Sequence, residues 1–209
     1  MDRKGILLVV SGFSGAGKGT LMKELVSRYD NYALSISATT RSPREGEVDG
    51  REYFFRTKEE FEQMIADDAL IEHACYVGNY YGTPRAYVEE QLALGRDVIL
   101  EIEIQGALQI KKRFPDTLLL FVSTPDAETL KNRLIGRGTE SLDVVEKRLS
   151  RASEEAEGIE NYDYFIINDD LDTCVTQVHQ IIQGEHSRVS RNLELINTIK
   201  KDISKFQKG

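Results

Sequence analysis

An apolar run, Ile6–Val10, passes directly into Ser11-Gly-Phe-Ser-Gly-Ala-Gly-Lys-Gly-Thr20, and this junction restricts the possible folds more than any other stretch. A buried strand, a glycine-rich turn and a helix from about Lys18 to Tyr29 would aim backbone N–H groups and a helix N-terminus at one anion. Gly12, Gly15 and Gly17 put no Cβ in the way of a phosphate. Lys18 adds an ammonium suited to β- and γ-phosphate oxygens. The spacing departs from Gly-x4-Gly-Lys-Ser/Thr by one residue, because Gly19 takes the hydroxyl position and Thr20 follows it.

The rest of the chain alternates strand-like and helical stretches, the pattern of a parallel α/β sheet. Strands are expected at Gly5–Val10, Ala33–Ser37, Asp97–Ile104, Thr117–Val122 and Tyr164–Asn168. A helix should run from Gly106 to Phe114, where Pro115 stops it. Thr124-Pro125 supplies an N-cap and first-turn proline for another helix, and helical periodicity resumes from Leu171 to the end. Residues 39–83 differ in composition and read as an inserted lobe. It holds strands at Tyr53–Phe55 and Leu70–Tyr76, a Gly78-Asn79 turn and a Thr57-x-x-Glu60 capping box. Thr83-Pro84 is expected to open a helix ending at Gly95. Ile135-Gly-Arg-Gly-Thr-Glu140 places glycines around an arginine, a composition suited to a hinge.

Several functional classes are excluded by composition. The longest apolar runs fall far short of the roughly 20 residues of a membrane span, and Met1-Asp2-Arg3-Lys4 does not open a signal peptide. A net charge of −8 argues against wrapping nucleic acid, so phosphate binding must come from locally concentrated donors. The segment Glu185–Gly209 is instead basic, with an apolar stripe at Ile196, Ile199, Ile203 and Phe206 that packs on the core, meets a second subunit or frays. Two cysteines, Cys75 and Cys174, fit a reducing cytoplasm, and three scattered histidines form no zinc constellation. Oligomeric state is not legible.

A second informative stretch is Ser37-Ala-Thr-Thr-Arg41-Ser-Pro-Arg44-Glu-Gly-Glu47, leading to Tyr53-Phe54-Phe55. Two guanidiniums around a proline turn can fork onto one phosphate, and Ser37, Tyr53 and Tyr81 offer hydroxyls. Taken alone, Arg41 and Arg44 read more readily as arginines of a solvated loop paired with Glu45 and Glu47. With Leu70-Ile-Glu72-His-Ala, Gly78-Asn-Tyr-Tyr-Gly-Thr83, Gly106 in Ile104-Gln-Gly-Ala, Arg133-Leu-Ile-Gly-Arg137 and Asn168-Asp-Asp-Leu, the stretch resembles the guanylate kinase family. The matches keep the family's order from about residue 5 to residue 183.

The resemblance implies an α/β, P-loop nucleoside monophosphate kinase fold: a parallel core (4–37 and 84–184), a GMP-binding lobe (38–83), a helical lid (about 134–150) and an extension (185–209). It implies ATP on Gly12, Phe13, Ser14, Gly15, Ala16, Gly17, Lys18, Gly19 and Thr20, with Asn168, and Mg2+ held partly through water by Thr20. Ser37, Arg41, Arg44, Tyr53 and Tyr81 would hold the GMP phosphate, and Glu72 and Thr83 would read guanine. Catalytic cations would be Lys18, Arg41, Arg133, Arg137 and Arg148. Glu101 and Glu103 stand where many relatives carry aspartates; their carboxylates belong near magnesium or the acceptor nucleotide, and the division between the two stays open. Guanine presents N1–H and N2–H2 donors that a carboxylate accepts as a pair, whereas adenine turns an N1 lone pair toward it. Three alternatives weigh less. A kinase for another nucleotide conflicts with Glu72, a peptide-binding module with the intact loop, and a GTPase switch with the lack of an Asn-Lys-x-Asp motif.

Overall fold

A computed structural model describes residues 4–76, 78–136 and 142–207. In chain order its elements are β1 (Leu7–Gly12), α1 (Lys18–Arg28), β2 (Tyr32–Leu34), β3 (Ala38–Thr39), β4 (Phe54–Phe55), α2 (Lys58–Ala66), β5 (Leu70–Tyr76) and β6 (Asn79–Pro84). They continue with α3 (Arg85–Ala93), β7 (Asp97–Glu101), α4 (Ile104–Arg113), β8 (Leu118–Ser123), α5 (Ala127–Gly136), α6 (Leu142–Ala156), β9 (Tyr164–Ile167), α7 (Leu171–His186) and α8 (Leu193–Ser204).

The main sheet has the order β2-β7-β1-β8-β9, with every pairing parallel. β1 is central, so both its faces are buried and its residues read as an unbroken apolar run rather than an alternation. Leu8 and Val10 pack with Leu21, Leu25, Val175 and Val178 under α1 and α7. Leu7 and Val9 pack on the opposite face with Val88, Ala107 and Ile110 of α3 and α4. The chain lays β2 and β7 on one side of β1, then crosses to β8 and β9. That reversal opens a crevice at the carboxyl ends of the strands, where doubly wound sheets bind ligands.

A second sheet, β4-β3-β6-β5, lies between β2 and α3 in the chain. Its small core centres on Ala38, Phe61 and Leu70, with Phe61 stacked on Tyr80 at 5.4 Å. α2 opens with the expected capping box: Glu60 N–H donates to Thr57 Oγ1 at 3.1 Å and Thr57 N–H to Glu60 Oε2 at 2.7 Å.

Some local expectations need correction. α5 begins two residues after Pro125, and its cap is Asp126, whose Oδ1 accepts from Thr129 N–H at 2.6 Å; Thr124 Oγ1 instead donates to Asp126 O. A carboxylate is the stronger acceptor for a first-turn amide. Thr83 opens no helix. It stays in β6 and turns its hydroxyl into the lobe, and α3 starts at Arg85. β7 ends at Glu101, where its pairing with Val10 stops, and α4 starts at Ile104 rather than Gly106. The C-terminal periodicity is broken after His186, and α8 has no buried residue, with Ile199, Ile203 and Phe206 exposed. Most of the glycine-arginine hinge, residues 137–140, lies outside the described residues. Among the described residues no helix is long and apolar enough to cross a membrane.

Candidate active site

The loop between β1 and α1 is held from three sides. Gly17 is the residue before α1 and has φ +87°, a left-handed conformation that glycine adopts without strain. Lys18 Nζ folds back over the loop and donates to Gly12 O at 2.7 Å and Phe13 O at 3.2 Å. Asn168, just beyond β9, is buried and donates from Nδ2 to Ala16 O at 2.8 Å, so its side chain braces the loop. The Asn168 carbonyl in turn accepts from Arg133 Nη1 at 2.9 Å. Arg148, on α6, donates from Nη1 to Ser14 Oγ at 2.9 Å. Arg148 thus reaches the loop directly and Arg133 reaches the Asn168 that braces it, while Arg137 lies outside the described residues. Thr20 exposes its hydroxyl in the first turn of α1.

A cavity of about 470 Å³ opens beside Lys18. Ser37, Arg41, Arg44, Tyr53 and Tyr81 form one part of its wall, and Glu72, Glu101 and Glu103 another. The positive rim is ordered by its own contacts. Arg41 places its guanidinium 5.2 Å from the Tyr53 ring centre, and Tyr53 meets Tyr81 edge-on at 6.1 Å. Glu47 closes the loop, accepting from Arg41 Nη2 at 2.9 Å and from the Arg44 N–H at 2.7 Å. Those two donors hold the Glu47 carboxyl below its usual range, the backbone N–H having the greater effect. The pairing of Arg41 with Glu47 that the sequence allowed is therefore present, and it fixes the guanidinium at the cavity rather than away from it.

At the other wall, Glu72 is only 7% exposed, and its Oε1 accepts from Thr83 Oγ1 at 2.7 Å. The antiparallel pairing of β5 with β6, irregular between Leu70 and His73, sets the two side by side. Burial raises the Glu72 carboxyl to about 7, with the hydrogen bonds from Thr83 opposing. Gly106 makes room for it, since a β-carbon there would stand 3.0 Å from Glu72 Oε2. Glu101 faces the open cleft, yet the surrounding walls raise its carboxyl, Lys18 opposing and Glu103 adding to the rise.

Sequence reading had not singled out Glu155 of α6, which also lines the cavity, because nothing local marks a helix glutamate as facing a site built from residues far upstream rather than solvent. A larger cleft of about 770 Å³ runs behind the loop between α5, α6 and the end of β8. Its walls carry neither Lys18 nor Arg41 and Arg44, all of which line the smaller cavity.

A phosphate loop facing two arginines and a buried carboxylate can be compared with known proteins. The family model described as guanylate kinase matches residues 4–185. The chain belongs to the guanylate kinase family. A guanylate kinase of Bacillus anthracis is 53% identical over 191 residues, covering 91% of this chain and 93% of that protein. One from Streptococcus agalactiae is 48% identical over 206 residues, covering 98% and 99%. The crystal structure of guanylate kinase from Anaplasma phagocytophilum superposes with a TM-score of 0.73 at 30% identity, covering 90% of this chain and 89% of that one. The fold is accordingly that of a P-loop nucleoside monophosphate kinase.

Proposed function

We infer that the cavity between Lys18 and Glu72 is the GMP site of an ATP:GMP phosphotransferase, with ATP on the loop at residues 12–20. The chain transfers the γ-phosphoryl group of ATP to GMP, giving ADP and GDP. The observation that carries the assignment of the site is the buried Glu72, held at 2.7 Å by the Thr83 hydroxyl and lining a cavity that Arg41 and Arg44 also line. One part of the wall thus offers an acceptor for a base and another offers donors for a phosphate, the two groups a purine monophosphate presents.

In this reading Arg41, Arg44, Ser37, Tyr53 and Tyr81 hold the GMP phosphate, and Glu72 accepts from guanine N1–H and N2–H2 while Thr83 holds Glu72. Glu101 and Glu103 face the same nucleotide. An oxygen of the GMP phosphate attacks Pγ in line, and the bond from Pγ to the β-phosphate oxygen breaks as ADP leaves. No covalent protein intermediate is needed, so positioning and charge do the catalysis. Lys18, Arg133 and Arg148 stand around the loop to meet charge developing on the transferred group, and Arg137 joins them by position in the sequence. Asn168 serves ATP by holding the loop's shape.

Magnesium fits this site because Thr20 offers an exposed hard-oxygen donor in the first turn after the loop, and this ion commonly keeps several waters and takes substrate phosphates as ligands. Thr20 would hold it partly through water, in place of the hydroxyl that Gly19 lacks, and the bound ion would neutralise phosphate charge. The proposed division is a core at 4–37 and 84–184, a GMP lobe at 38–83 and a lid near 134–150. Both substrates are small molecules. Free Cys75 and Cys174, and the net charge of −8, support a reducing cytoplasmic setting without a nucleic-acid partner.

The test is ADP release from ATP with GMP, AMP, CMP, UMP and dTMP supplied in turn. GMP should be used with much the highest kcat/KM. Equal use of AMP would overturn the assignment of Glu72.

A further inference from the structure

We propose that Asp68, clamped by Arg85 and Arg113, is a positioning residue for the acceptor base: the clamp fixes the start of β5 against α3 and α4 and so sets where Glu72 meets the nucleotide. This role deepens the reading of Glu72 as the group that accepts from guanine, and rests on it.

The sequence places a charged residue where the backbone asks for glycine. α2 closes in a Schellman motif, with Asp68 N–H donating to Ile65 O at 3.1 Å and Ala69 N–H to Met64 O at 2.9 Å. Asp68 is the left-handed residue of that motif, with φ +51°, and among the described residues it is the only one other than glycine with a positive φ. Glycine fills such a position without steric cost, so what the aspartate adds is its carboxylate.

That carboxylate joins three elements. Arg113, the last residue of α4, donates from Nη2 to both Asp68 oxygens at 2.9 and 3.0 Å. Arg85, the first residue of α3, brings Nη2 to 2.7 Å from Oδ1. The same arginines hold the backbone beside it. Arg85 donates from Nε to Asp68 O at 2.8 Å, from Nη2 to Leu70 O at 3.2 Å and from its own N–H to Ala69 O at 2.8 Å. Arg113 Nη1 reaches Ile71 O at 3.4 Å. A lone ion pair at the surface is worth little, but here one carboxylate is shared by two guanidiniums that also bind the neighbouring carbonyls, and such a network fixes the chain.

α4 carries this hold to the site. Residues 106, 107, 110 and 113 recur at helical spacing on one face of it. Gly106 leaves the space that Glu72 Oε2 occupies, Ala107 and Ile110 share an apolar cluster with Ile71, and Arg113 holds Asp68. Apolar packing at Ile71 is non-directional and permits a strand to slide, whereas the ion pairs fix its position. Room for a shift exists. A cavity of about 160 Å³ lies beside the strand, with Asp68, Glu72, Gln109 and Arg113 in its wall.

A clamp that only stabilised the fold would, when broken, slow every acceptor alike. IMP separates the two roles, because its base is guanine without the N2 amino group and offers Glu72 one donor instead of two. Asp68→Gly removes the carboxylate and keeps the left-handed backbone. We expect it to lower kcat/KM about tenfold for GMP and about twofold for IMP, with KM for ATP within about twofold of wild type. The preference for GMP over IMP should thus fall about fivefold. An unchanged preference overturns the proposal, whatever happens to the thermal midpoint. If Asp68→Gly unfolds at the assay temperature, Asp68→Asn, which also tolerates the left-handed backbone, must narrow the preference in the same direction. Arg113→Ala should reproduce the loss, and adding Asp68→Gly to it should cost no more than about twofold further; fully additive losses refute the clamp. Failure of the Glu72 reading itself shows separately, as a preference between GMP and AMP that Glu72→Gln leaves unchanged.

Discussion

The glycine-rich loop and the cavity proposed for the acceptor are neighbours built by opposite means. The loop uses main chain from ten consecutive residues, shaped by glycines and braced by Asn168 from outside. The cavity uses side chains drawn from Ser37 to Glu155, brought together by two sheets and two helices. The difference teaches where tolerance lies. In the proposed reading Phe13, Ser14 and Ala16 act through backbone donors whatever their side chains, whereas the cavity acts through its side chains.

The sharpest way to break that contrast is at Lys18, the loop side chain proposed to meet the transferring charge. Lys18→Ala should reduce kcat by about 10²–10³, with a thermal midpoint close to wild type, since the ammonium meets transferring charge and adds little to packing. Turnover near wild type in a coupled assay would remove the loop from the mechanism. On the cavity side, Glu72→Gln should lower kcat/KM for GMP by about 10², because one accepting oxygen becomes a donor facing another donor. Activity with AMP should fall far less. Measurement of both acceptors at saturating ATP decides it, and an unchanged ratio would mean that Glu72 does not read the base.

Arg41→Ala tests whether the rim serves one substrate alone. It should raise KM for GMP about tenfold and leave that for ATP nearly unchanged, with a smaller loss of kcat from misorientation. Equal effects on both substrates would erase the distinction between the two regions.

The smallest effect concerns pH. Glu72 must be ionised to accept from guanine, and its carboxyl in the free protein is raised to about 7 by burial. KM for GMP should therefore rise as pH falls below 7, by about tenfold between pH 8 and pH 6. The phosphate of GMP titrates nearby, at about 6, so Glu72→Gln is the control that retains only the nucleotide's own dependence. The same shift works oppositely on stability. A carboxyl raised in the folded state contributes stability at pH values below its ordinary 4.5, and this contribution is lost as pH climbs through about 7. The ligand-free protein should accordingly melt lower at pH 8 than at pH 5 by this group, and Glu72→Gln should reduce the difference.

Legibility from sequence followed the same divide. Local backbone chemistry was readable. The loop glycines, the Thr57–Glu60 capping box and the unbroken apolar strand β1 need only their neighbours in the chain. Where a hydroxyl had two possible tasks, local reading went astray. Thr124 and Thr83 both precede a proline and look like helix caps. Asp126 outcompeted the first as an acceptor, and the buried Glu72 carboxylate claimed the second.

Order along the chain was enough to announce a parallel α/β core and its phosphate loop, because strand, turn and helix here follow from contacts only a few residues apart. Which face of β5 carries Glu72 inward, why Gly106 must leave it space, and that Glu155 of α6 lines the same cavity came from folding alone. Each depends on groups distant in sequence meeting in space, and burial and register do not exist until those groups have met.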